Sequence, residues 1–365
     1  MTDLGTLPGA TETHAVAING QGQVAGRSRI AGVGGRGFRW TATGGMEDLG
    51  TLPIREVDGV TGINEEGQVI GGTSIFGMGF RGHGFRWTES VGMEDLDTLL
   101  PGGRFGSAVA INDEGVIAGS SEPLEAATHA VRWTVAGEIQ DLAPLSRFTN
   151  SRAAAINDGG QITGNTFPDG GPPHAFRWTE SGGMEDLGTL PGGTSSEGIA
   201  IDEGGRIAGN ATTVEGATHA FRWTPAGGMQ DLGTLPGGTS STAIAINARG
   251  QVTGNATTAD GAIHAFLWAK AGGMEDLGTL PGGASSTAAG INARGQVTGT
   301  ATTADGATHA FRWAKADGLR DLGTLPGGAS STATGINDRG QVTGDATTAD
   351  GATHPFLWSP RSDGG

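Results

Sequence analysis

Seven histidines, His83, His129, His174, His219, His264, His309 and His354, each stand four residues before a tryptophan; only His14 is off that register. One imidazole per stretch would suit one ligand or one metal ion per stretch. A metal site needs several ligands at close spacing, and no second His or paired carboxylate accompanies these seven. They therefore read as partly buried imidazoles, hydrogen-bonded between strands. A second series is the Asp of an Asp-Leu pair, running from Asp3, Asp48 and Asp95 to Asp321. These carboxylates are placed to pair across a strand with the Arg before each Trp, such as Arg222 and Arg312. Leu267 and Leu357 replace that Arg, so the pair reads as optional surface chemistry, worth about 1 kcal/mol or less.

Other reactive patterns are weaker. Asp260-Gly261, Asp305-Gly306 and Asp350-Gly351 are fragments of calcium loops without the alternating oxygen ligands, and read as turns. There is no serine in a nucleophile elbow, no Gly-rich phosphate loop before a helix and no aspartate-box pattern. The residues supply no catalytic constellation and ask for no cofactor and no metal. The Trp and Phe series reads as core, with a stacking box for a quinone or sugar as the alternative.

The aromatic residues outside the regular pattern point to binding. Of 12 phenylalanines, seven stand two residues before a Trp; the others are Phe76, Phe80, Phe105, Phe148 and Phe167. Beside them are Arg81, Arg104, Arg147 and Arg152, with Arg27, Arg29 and Arg36 further upstream. Aromatic rings next to arginine are the composition of binding hot spots. On an acidic chain they would form a local cationic patch for an anionic or carbonyl-rich ligand. The alternative is a small satellite core under longer loops.

These residues are positioned by a repeat. The eight tryptophans, Trp40, Trp87, Trp133, Trp178, Trp223, Trp268, Trp313 and Trp358, recur every 45 to 47 residues. Within one unit, Ala243-Ile-Ala-Ile-Asn247 and Gln251-Val-Thr-Gly-Asn255 flank the tight-turn signal Asn247-Ala-Arg-Gly250. His264-Ala-Phe-Leu-Trp268 is a third strand, and Met274 to Leu280 holds a fourth. Four short antiparallel strands in such a length match one propeller blade. The chain is therefore expected to be all-β: one domain, residues 1–365, folded as an eight-bladed β-propeller. A solenoid is the rival, but its repeats are shorter and its strands parallel. Small residues such as Ala243, Ala245, Ala288 and Gly290 mark the innermost strand. The last unit lacks its Met-x-Asp-Leu strand, and Met1–Leu7 supplies one, so the N-terminal strand should close the last blade. The odd Phe and Arg residues then fall on loops of one face, in the first four blades.

Composition sets outer limits. The formal charge of −16 repels nucleic-acid backbones and anionic lipid. There is no cysteine, and the apolar runs are too short to span a membrane. Met1 opens directly in a repeat, with no signal-peptide pattern.

The Ala-Ile-Asn turn, the Gly-Gln-Val-x-Gly strand, His-Ala-Phe-x-Trp and Gly-Met-x-Asp-Leu-Gly-Thr-Leu resemble the bacterial "HAF" repeats, a probable extracellular family. The resemblance covers all eight units and is loosest in the first two; the first has Arg36-Gly37-Phe38 for His-Ala-Phe. The layout is also similar to kelch blades. The resemblance implies a secreted or surface-exposed bacterial protein and no particular activity. The reading is a monomeric, non-catalytic binding or interaction module outside the cell, with a protein or glycan partner. The alternatives are a lectin-like binder with one site per blade, and a lyase or hydrolase with its site at the channel mouth.

Overall fold

The computed structural model describes residues 1–75, 82–99, 105–122, 128–142, 148–168 and 171–360, with Phe148, Thr149 and Pro168 as backbone alone. Eight four-stranded antiparallel sheets follow one another as the blades of a β-propeller. Blade six shows the plan: Ser241–Ile246 is innermost, followed outward by Val252–Thr257, Ile263–Ala269 and Gly273–Asp276.

Turn chemistry sets these boundaries. The Asn247 side-chain oxygen accepts the N–H groups of Arg249 and Gln251, and Gly250 takes φ 72°. Only glycine holds that left-handed conformation without steric cost. Gly205, Gly295 and Gly340 do the same at φ 70°, 80° and 76°, as the turn signal predicts. The outer strand is shorter than expected. It stops at Asp231; the Leu232 N–H makes one last bond to the Ala220 carbonyl, and the Leu232 and Leu235 side chains plug the space between blades.

The core lies between sheets. Val252, Phe266 and Trp268 of blade six face Ala208 and Ala220 of blade five. Alternation along each strand produces this: large residues point to the preceding blade and small ones to the next. Gly254, in the second strand, lies against the Thr242 carbonyl and the Phe266 ring, where a Cβ would collide with both. Seven tryptophans are buried, and Trp40 is half-buried. Every inner strand also carries a β-bulge at one fixed position, between Ala243 and Ala245 in blade six. The bulge bends that strand where the sheets crowd the axis.

The N-terminal strand closes the last blade. Thr2 pairs with Leu357 and Asp3 with Phe356, and the Leu4 N–H donates to the Pro355 carbonyl at 3.0 Å. Leu4 and Leu7 are buried beside Leu357 and Phe38.

A chain of amides links the inner turns. Asn19 Nδ2 donates to the backbone carbonyl of Asn64, Asn64 to Asn112, and Asn112 to Asn157, at 2.9 to 3.1 Å. Asn157 continues to Asp202, Asn247 to Asn292, Asn292 to Asn337, and Asn337 returns to Asn19. The Asp202 side chain has no N–H to give. At that joint Arg206 binds the Asp202 carboxylate at 2.5 Å and donates to the Ala248 carbonyl at 2.7 Å.

Candidate functional site

The end of each blade opposite these turns holds the start of the inner strand and the end of the second strand. In blades five to eight the two are tied together. Thr257 Oγ1 accepts the N–H groups of Thr239 and Ser240 at 2.8 and 3.0 Å. Thr212, Thr302 and Thr347 make the same pair of bonds in their blades. Counting from the glycine of each second strand, the first four blades have Arg29, Ser74, Glu122 and Phe167 in place of this threonine. Opposite these, in the place of Ser240, they have Glu12, Glu56, Phe105 and Asn150. The tie is thus replaced in each of the first four blades by larger or differently bonded side chains.

Where the tie is replaced in blade three, a hollow of about 370 Å³ opens toward blade four. Its wall includes Phe105, Ser107, Ser120, Glu122 and Arg152. The Phe105 side of the hollow is partly open, that residue being 37% exposed. Glu122 is held by the Thr128 hydroxyl at 3.1 Å, and the Arg152 guanidinium stands 5.9 Å from the Phe167 ring. A second hollow of about 470 Å³ lies between blades one and two, lined by Thr11, Arg29, Ile30, Val33 and Glu56 among others. Arg27 is half-buried next to it, with its Nε unpartnered.

Arg29, Phe105, Arg152 and Phe167 come to one face of the first four blades. They lie within strands rather than on loops, because the strands run on to Phe105, Phe148, Pro168 and Ile30. Phe76, Phe80, Arg81, Arg104 and Arg147 lie outside the described residues, as does the Phe148 side chain. Arg36 is in the third strand of blade one.

Two pairings differ from expectation. In seven of the eight Asp-Leu pairs the Asp bonds the histidine, not the arginine: His219 Nδ1 meets Asp231 at 2.9 Å, and His354 meets Asp3 at 2.9 Å; Asp48, whose blade has Arg36 in the histidine position, accepts the Gly50 N–H instead. Strand pleating explains this. Asp231 lies opposite Phe221 and Gln230 opposite Arg222, so aspartate and arginine occupy opposite faces. The arginine reaches sideways instead. Arg39 sits 4.5 Å from the Trp87 ring of the next blade, between Glu47 and Glu89, each at 3.0 Å. Arg132 and Arg222 stack likewise on Trp178 and Trp268. Leu267 fills that place against Trp313. The position belongs to the joint between blades and is not optional surface.

His14, the histidine off register, forms a contact that the sequence analysis missed. Its Nδ1 meets the Asp345 carboxylate at 2.8 Å, and the other Asp345 oxygen accepts the Ala15 N–H at 2.8 Å. Burial pushes the Asp345 carboxyl above the usual aspartate range, against the opposing effect of these two bonds. The signal was present: Asp345 stands in the repeat position of Asn165, Asn210 and Asn255. At the opposite end of the channel, Glu65, Asp113, Asp158, Glu203 and Asp338 follow the linked turns. All five accept a backbone N–H from the preceding blade. Burial and the neighbouring Asp158 raise the Glu203 carboxyl. Among the described residues no group of three His, Asp or Glu side chains has the arrangement of a metal site. Among the described residues no helix is long and apolar enough to cross a membrane.

No family model and no curated protein sequence matches this chain. Solved structures do resemble it. A prolyl endopeptidase superposes with TM-score 0.59 and 11% identity, over 97% of this chain and 55% of its own. Prolyl oligopeptidase B from Galerina marginata gives 0.59 and 8%, over 96% and 54%. A puromycin hydrolase gives 0.56 and 14%, over 94% and 58%. The chain spans a little over half the length of these proteins, and the likeness is one of fold.

Proposed function

We propose that this protein is a non-catalytic binding module whose ligand sits on the face formed by the strand ends of the first four blades. One observation carries the reading. The threonine tie that fastens this face in blades five to eight is replaced in blades one to four, and beside Phe105 the replacement leaves a hollow lined by aromatic, acidic and basic groups. A concave site with an apolar wall and a few convergent polar groups is the usual form of a small-ligand site. The resemblance to extracellular repeats supports a secreted or surface location. A lectin-like site on every blade is less well supported, because the polar groups of the near-identical loops in blades six to eight bond one another.

The test restores the repeat. In Phe105→Ser combined with Glu122→Thr, blade three takes the residues of blade six. Melting is followed against panels of amino acids, carboxylic acids, glycans and peptides. The native protein should be stabilised by at least one class. The double variant should keep its unliganded melting point and lose that shift. A shift that survives in the double variant, or a native protein that responds to no class, overturns the reading.

A further inference from the structure

The hollow between blades three and four carries opposite charges beside an apolar wall. Phe105 offers a partly exposed ring face. Arg152 brings a guanidinium to a place that Thr242, Thr287 and Thr332 occupy in blades six to eight. Glu122 brings a carboxylate to the place of Thr257, and the Thr128 hydroxyl holds it there through one oxygen. Ser107 and Ser120 also line the hollow. Neither charge belongs to the repeat pattern, and in the uniform blades both positions are neutral. A guanidinium on a chain of net charge −16 selects an anion, and its planar fork fits a carboxylate. A carboxylate on the same wall selects an ammonium group and repels a simple acid.

Resting on the binding reading above, we propose that this hollow takes a free α-amino acid with an aromatic side chain. Its carboxylate pairs with Arg152, its ammonium with Glu122, and its ring lies on Phe105. A volume of about 370 Å³ is at the small end of ligand cavities, which suits one such molecule. Both charges must be free, so a residue inside a peptide does not qualify.

Titration calorimetry with L-phenylalanine, its N-acetyl derivative and its amide tests this on the full chain. L-phenylalanine should bind, and removing either charge should weaken binding about tenfold or more, as for a hydrogen bond to a charged group. Arg152→Gln should abolish the discrimination against the amide, and Glu122→Gln the discrimination against the N-acetyl derivative. Each variant should keep the native melting point without ligand. Equal affinity for L-phenylalanine and either derivative overturns the proposal, as does absence of L-phenylalanine binding. If L-phenylalanine is silent while another class stabilises the native protein but not the Phe105→Ser/Glu122→Thr variant, the amino-acid assignment falls and the binding face stands. If no class binds, both fall.

Discussion

The carboxylate of Asp345 occupies a place that other blades give to an amide. The Asn165, Asn210 and Asn255 side-chain oxygens accept the N–H groups of Gly198, Ala243 and Ala288, at 3.0, 2.8 and 2.8 Å. Asp345 does the same for Ala15 and holds His14 as well. Its side chain is only 17% exposed, and burial raises its pKa. The folded state therefore binds more protons than the unfolded chain between the ordinary and the raised value, and stability falls as pH rises through that interval. Asp345→Asn should melt higher than the native protein near pH 7, with the difference vanishing near pH 3, where both carboxyls are protonated. A variant that melts lower at pH 7 would show that the His14 pair outweighs the cost of burial. The residue types of this pair were visible in the chain, but their partnership was not. His14 and Asp345 are joined by ring closure, which brings the first and last units together, and no local pattern relates them. The aspartate–histidine pairs of the outer strands were hidden differently. They depend on a one-residue register that puts Asp231 opposite Phe221.

At the scale of the element, turn chemistry was the most legible part of the chain, because a tight turn is decided by a few adjacent residues. Gly250 at φ 72° tests this directly. Gly250→Ala should cost about 1–2 kcal/mol in urea unfolding, the price of a left-handed residue bearing a Cβ. Gly272, in open space and without that conformation, is the control. Alanine there should be neutral or stabilising by about 0.4–1 kcal/mol. Equal losses at both positions would remove the conformational argument. The inner-strand bulge was not legible. Ala243-Ile-Ala-Ile246 alternates small and large without a break, and the extra residue is imposed by crowding at the axis. The outer strand was read too long for a related reason. Leu232 and Leu235 are apolar because they fill the joint between blades, not because they continue the pleat.

For the whole molecule, strand count and closure followed from the repeat, while the opening in the first four blades appeared only once the units were aligned on the second-strand glycine. Removing Met1 to Leu7 tests closure. It withdraws two buried leucines, about 3–6 kcal/mol of burial, and leaves Thr353–Trp358 as an unpaired edge. The truncated chain should melt earlier and show concentration-dependent association by size-exclusion chromatography with light scattering. A truncated chain that stays monomeric with native melting would show that the strand does not secure the ring.

The chain of asparagines has a direction. Each amide reaches forward to the backbone of the following blade, and none reaches back. A blade therefore carries its own clasp when it leaves the ribosome, and the next blade to emerge brings the carbonyl that fills it. Assembly and synthesis run the same way round the axis. Only the clasp of Asn337 has to reach back to a carbonyl made long before it, that of Asn19 in the first blade of the ring.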